Sequence, residues 1–162
     1  MEWYNLGKSR VILPKKLSVD PQRMARAITN TLNNTALNIQ TDFKVTTQTW
    51  RDKPTFVIES PTPYTRIVGT DDGNYTRLNE GTRPHTIAPH GRVLVFRTPF
   101  QSKTLPHSIS SRGGGKGTNV VITPKPVHHP GTQAREWDTT IAQKWDKQVG
   151  PLFQRAIDAE IN

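Results

Sequence analysis

Five histidines, His85, His90, His107, His128 and His129, are the residues of this chain best suited to proton transfer or metal binding. Neutral imidazole ligates transition metals and titrates near neutral pH, so a pair such as His128-His129 with His85 or His90 is the natural candidate for a cation site. Two observations argue against it. Adjacent side chains of an extended segment point to opposite faces, so only one of His128 and His129 can turn toward a shared ligand. No Asp or Glu occurs between Gly81 and Arg135 to complete a ligand set or orient a ring. Prolines flank His85, His107 and His129 and mark them as turn residues. The run Gly113-Gly114-Gly115-Lys116-Gly117-Thr118 is the other candidate, as a phosphate cradle. A G-x-x-x-x-G-K-[ST] loop would place glycine at position 110 and a hydroxyl at 117, whereas the chain has Ser110 and Gly117. No G-x-S-x-G elbow is present. Of the carboxylates Glu59, Asp71, Asp72 and Glu80, the Asp71-Asp72 pair reads more simply as a turn. No catalytic residue, cofactor or metal is expected, and nothing in these residues calls for an enzyme.

The charge pattern is more informative. The chain has 162 residues, 22 Lys and Arg against 13 Asp and Glu, and a net charge of +9. The acid-free stretch from Gly81 to Arg135 contains Arg83, Arg92, Arg97, Lys103, Arg112, Lys116, Lys125 and Arg135, almost the whole excess. Residues 136–162 hold five acids and three bases. A molecule basic at one end and mildly acidic at the other fits a polyanion or an acidic protein surface as partner. No helix combines a basic face with base-reading residues in helix-turn-helix spacing, which argues against sequence-specific DNA reading. With no Cys, disulfides and thiolate-bound zinc are excluded. No window approaches the ~18 apolar residues of a membrane span, and residues 1–14 have no apolar signal core, so neither membrane nor secretion is expected.

The elements that must carry these residues follow from periodicity. Asp20-Pro21 is a helix start, a capping acceptor followed by proline at the first helical position. Met24, Ile28, Leu32, Ala36, Ile39 and Phe43 then form one apolar stripe, predicting an amphipathic helix over about 21–43. Ten of the 13 prolines lie between Pro54 and Pro130 and forbid long helices there. Short β-type runs sit among them at 55–59, 65–69, 75–78, 92–97 and 119–123, with Asp72-Gly73 read as a hairpin turn joining the second and third. Residues 98–118 are rich in Ser and Gly and read as a flexible basic arm. Trp137, Ile141, Trp145 and Val149, spaced by four, predict a second helix that Gly150-Pro151 kinks or splits before Leu152, Phe153, Ala156 and Ile157 continue its face. The expected fold is a single α+β domain over 1–162. It has a small, mostly antiparallel sheet of four to five strands flanked by N-terminal and C-terminal amphipathic helices, with 1–17 as an extension and 98–118 as a long Gly/Ser-rich loop.

Two segments carry a family resemblance. Residues 78–89 read Leu-Asn-Glu-Gly-Thr-Arg-Pro-His-Thr-Ile-Ala-Pro and precede a strand, and residues 127–137 read Val-His-His-Pro-Gly-Thr-Gln-Ala-Arg-Glu-Trp and lead into the last helix. Together they resemble the tail-completion, or neck-type tail-component, family of long-tailed bacteriophages. There an acidic-Gly-Thr-Arg-Pro-His element precedes a strand and a His-Pro-Gly turn opens the C-terminal helix. The matching positions are Gly81, Thr82, Arg83, Pro84, His85, His129, Pro130 and Gly131. The resemblance extends over about residues 20–160. The chain departs from it in a longer 98–118 arm and in Arg135-Glu136-Trp137, where a Pro-Phe or Arg-Phe pair is usual.

The resemblance implies a virion structural protein of the head–tail junction, a tail-completion or tail-terminator protein that assembles in the host cytoplasm. It implies a ring of copies, six being the expected number, in contact with neighbouring neck and tail-tube proteins. Packaged DNA passing through the lumen would be met without sequence preference. Lys103, Arg112, Lys116 and Lys125 are then candidates for inter-subunit or lumen contacts. The alternative is a nucleic-acid-binding protein without sequence specificity, with Trp3, Tyr4 and Trp50 as stacking groups.

Overall fold

A computed structural model of the chain describes residues 20–98, 106–109 and 119–161. The described residues form three helices and six strands: α1 (Pro21–Thr46), β1 (Val57–Thr62), β2 (Thr65–Gly69), α2 (Gly73–Glu80), β3 (His85–Ile87), β4 (Leu94–Thr98), β5 (Asn119–Thr123), β6 (Val127–His129) and α3 (Trp137–Ile161). The class is α+β. The strands form three antiparallel two-stranded sheets, β1 with β2, β3 with β6 and β4 with β5. The chain divides into two compact units.

The first unit holds α1 as far as Lys44, the β1–β2 hairpin and α3 from Asp138 onward. Asp20 caps α1 as its sequence predicts, its Oδ1 accepting from the Gln22 N–H at 2.9 Å. Ala36, Ile39, Phe56, Ile141, Trp145 and Ile157 are buried and form the core. Phe43 stacks on Phe56 at 5.4 Å, and the Gln40 side chain donates to the Phe56 carbonyl at 2.7 Å, which fixes where β1 enters. Arg66 of β2 donates to Asn33 Oδ1 at 2.7 Å. The helices run antiparallel: Arg23 meets Glu160 at one end, and Asp42 accepts from Lys144 Nζ and Trp145 Nε1 at the other, at 2.6 and 2.7 Å. α3 passes through Gly150-Pro151 without a break. Proline removes one helical hydrogen bond there, and burial of Trp145 before it and Ile157 after it outweighs that loss.

The second unit holds residues 45–54 and 72–137. Here the predicted hairpin at Asp72-Gly73 is corrected: residues 75–78 are helical. Asp72 is the N-cap of α2, its carboxylate accepting from the Tyr75 N–H at 2.7 Å, and Gly81 ends the helix at φ 78°. Aspartate before glycine serves a turn or a helix start equally well. Tyr75 and Asn79, one turn apart, are the buried residues of α2 and decide it. Tyr75 stacks on Trp137 at 5.0 Å, and Trp50 packs against both at 6.4 and 6.2 Å.

Candidate functional site

The two segments that carry the resemblance pair with each other. Thr82 and Thr132 exchange backbone hydrogen bonds at 2.9 and 3.1 Å. Three residues on from Thr82 is His85, three back from Thr132 is His129, and these two are also partners, in the β3–β6 ladder with Thr86↔His128 and Ile87↔Val127. One antiparallel register therefore runs through both segments. It extends to the other side, where the Arg135 N–H donates to the Leu78 and Asn79 carbonyls and the Glu136 N–H to Asn79, all at 3.0 Å.

Asn79 anchors this end. It is buried in the last turn of α2, and its Oδ1 accepts from the Trp137 N–H at 2.8 Å, so one side chain of α2 caps the start of α3. Its role was not singled out from sequence, although an asparagine followed two residues later by the helix-ending Gly81 is the available signal. Glu136 and His107 both have positive φ, 51° and 53°, and are joined: the His107 N–H donates to the Arg135 carbonyl at 2.9 Å, and His107 Nδ1 lies 3.2 Å from Glu136 Oε2. Residues 106–109 of the predicted arm are thus tied to the turn before α3.

The glycines make the close approach possible. Gly81 (φ 78°) and Gly131 (φ 90°) both occupy the left-handed region. A Cβ on Gly81 would sit 2.6 Å from the Thr132 carbonyl oxygen, and one on Gly131 would run into the Thr82 carbonyl oxygen. The histidine rings of His85 and His129 stack at 5.0 Å. The Gly131 N–H donates to His129 Nδ1 at 3.0 Å, while His85 Nδ1 lies 2.9 Å from the Arg83 carbonyl. Among the described residues no three His, Asp or Glu side chains come together as a metal site, and no helix is long and apolar enough to cross a membrane.

The basic stretch is less uniform than its sequence. Arg83, Arg92, Arg97 and Lys125 are exposed. Arg135 is buried, with Nη1 donating to the Gln133 carbonyl at 3.1 Å, and burial lowers its pKa from the ordinary arginine value. It belongs to the pairing of the two segments and not to a basic surface. Lys125 lies in the turn between β5 and β6, its N–H donating to Thr123 Oγ1 at 3.1 Å. Lys103, Arg112 and Lys116 lie outside the described residues, as do Trp3 and Tyr4. Trp50, the third of the proposed stacking groups, is half-buried and packs against Tyr75 and Trp137.

Comparison with family models, curated proteins and solved structures finds no match to this chain.

Proposed function

We propose that this chain is a structural protein of a bacteriophage head–tail junction, a ring-forming tail-completion or tail-terminator protein. The observation that carries the reading is the pairing of residues 78–87 with 127–137. The two segments that resemble the neck family are distant in sequence, yet they interlock through Gly81, Thr82, His85, His129 and Gly131. Motifs used jointly to build one backbone joint are what a shared fold would require of them. The exposed part of the basic stretch, including Arg92, Arg97 and Lys125, is available to acidic partners. Ring assembly uses a different patch on each side of the contact, and the uneven charge of the chain suits such a head-to-tail contact.

The test is a stop codon at Trp3 in the genome that encodes the chain, with the particles viewed by negative-stain electron microscopy. Filled heads beside separate tails of normal length are expected for a joining or completion protein, and separate tails of uncontrolled length for a terminator. Intact, infectious particles would overturn the reading.

A further inference from the structure

The β4–β5 ribbon has an outer face that nothing among the described residues covers. Val95 pairs with Ile122 and Arg97 with Val120, so these four side chains share one face. Val95, Val120 and Ile122 are 58%, 54% and 64% exposed, and Val93, just before the strand, is 44% exposed. Such a run of aliphatic side chains in water marks a surface that binds something. The residues of the opposite face, Leu94, Phe96 and Val121, are half-buried, so the alternation is regular and the outer face is a built feature.

The β1–β2 hairpin offers a matching face with the opposite charge. There Val57 pairs with Gly69 and Glu59 with Ile67, and Val57 and Glu59 are exposed. Each ribbon thus presents an aliphatic rung followed, two residues on, by a rung that combines one ion with one aliphatic: Val95/Ile122 then Arg97/Val120, and Val57/Gly69 then Glu59/Ile67. Gly69 puts no side chain opposite Val57, which leaves room for the larger Val95/Ile122 rung. Neither Glu59 nor Arg97 makes an ion pair with another described residue. Packing the β4–β5 face on a second β4–β5 face would bring arginines together with no acid in the whole 81–135 stretch to offset them.

Resting on the ring reading above, we propose that the outer face of β4–β5 in one copy packs on the outer face of β1–β2 in the next, aliphatic rung on aliphatic rung, with Arg97 against Glu59. The contact is head-to-tail, so each copy uses one face toward each neighbour.

Charge reversal with mixing tests this. The purified full chain is compared with R97E and E59R by sedimentation velocity from micromolar to millimolar concentration, with thermal melts as a check on folding. Both positions are exposed, so unchanged melts are expected. The wild-type chain is expected to self-associate, and each single variant to do so at least about tenfold more weakly, because like charges then face each other. Mixing R97E with E59R in equal amounts restores association, since each contact between the two different variants again joins opposite charges. V95S, which keeps both ions, should weaken association without being rescued by mixing. Self-association that is indifferent to R97E and E59R, or a mixture no stronger than its components, overturns this contact and leaves the ring reading standing. A wild-type chain that stays monomeric throughout overturns the contact as well. Failure of the ring reading itself is read separately, from intact particles after the stop codon at Trp3.

Discussion

Gly81 and Gly131 each occupy a left-handed backbone position, and the place a Cβ would take on either is filled by backbone of the other's segment. The joint between residues 78–87 and 127–137 therefore admits no side chain at two points. G81A and G131A should each lower stability by about 2–4 kcal/mol, from the strained φ and from backbone that cannot yield. G91A, where a Cβ would meet nothing within 4 Å, should stay within about 0.5 kcal/mol. Urea unfolding of the three variants checks this, and equal losses in all three would sink the account.

Asn79 joins the end of α2 to the start of α3 through one side chain. N79A removes the acceptor for the Trp137 N–H in a buried setting and should cost about 1–2 kcal/mol. D72A removes the cap of α2, whose Oδ1 accepts from Tyr75, and should cost about 1 kcal/mol. Amide exchange should separate the two: N79A exposes the first turn of α3, and D72A the first turn of α2. Identical exchange patterns would mean the two caps are not independent.

The stacked histidines are held in opposite tautomers by their backbone partners. The Gly131 N–H points at His129 Nδ1, so the His129 proton sits on Nε2; His85 Nδ1 faces the Arg83 carbonyl and must donate, so its proton sits on Nδ1. Nitrogen-15 NMR of the neutral imidazoles should show one ring of each kind. H129N keeps an acceptor near the Nδ1 position and should preserve stability better than H129A, which loses about 1 kcal/mol. Two rings of the same tautomer would contradict the geometry.

The long helices were legible because their apolar residues repeat over many turns. Trp137, Ile141 and Trp145 are buried as their spacing of four requires. α2 was not, since Asp72-Gly73 supports two local structures and only the packing of Tyr75 on Trp137 selects one. The same limit hid the central joint. Residues 78–89 and 127–137 could be singled out, but β3 and β6 are three residues each, too short for any periodicity to predict that they pair. What connects them is set by Gly81, Gly131 and Asn79, whose roles appear only when the two segments meet. Among the described residues the expected single sheet is instead three two-stranded ribbons, with prolines and turns between the strands.

Asp42 combines a part-buried hydrogen bond and a more exposed ion pair in one residue. Its Oδ2 accepts from both Lys144 Nζ and Trp145 Nε1, at 2.6 and 2.7 Å. The lysine side chain is 39% exposed, so solvent screens that bond and water replaces it when it is lost. The Trp145 ring is buried in the core, and its N–H has no such substitute. D42A should therefore cost about 1–3 kcal/mol, whereas K144A should cost no more than about 0.5. D42N keeps an oxygen for Trp145 while removing the charge, and should recover most of the loss. Adding salt should narrow the small gap between wild type and K144A and leave D42A unchanged. If K144A were as damaging as D42A, the ion pair would be holding α1 to α3, and the tryptophan bond would not.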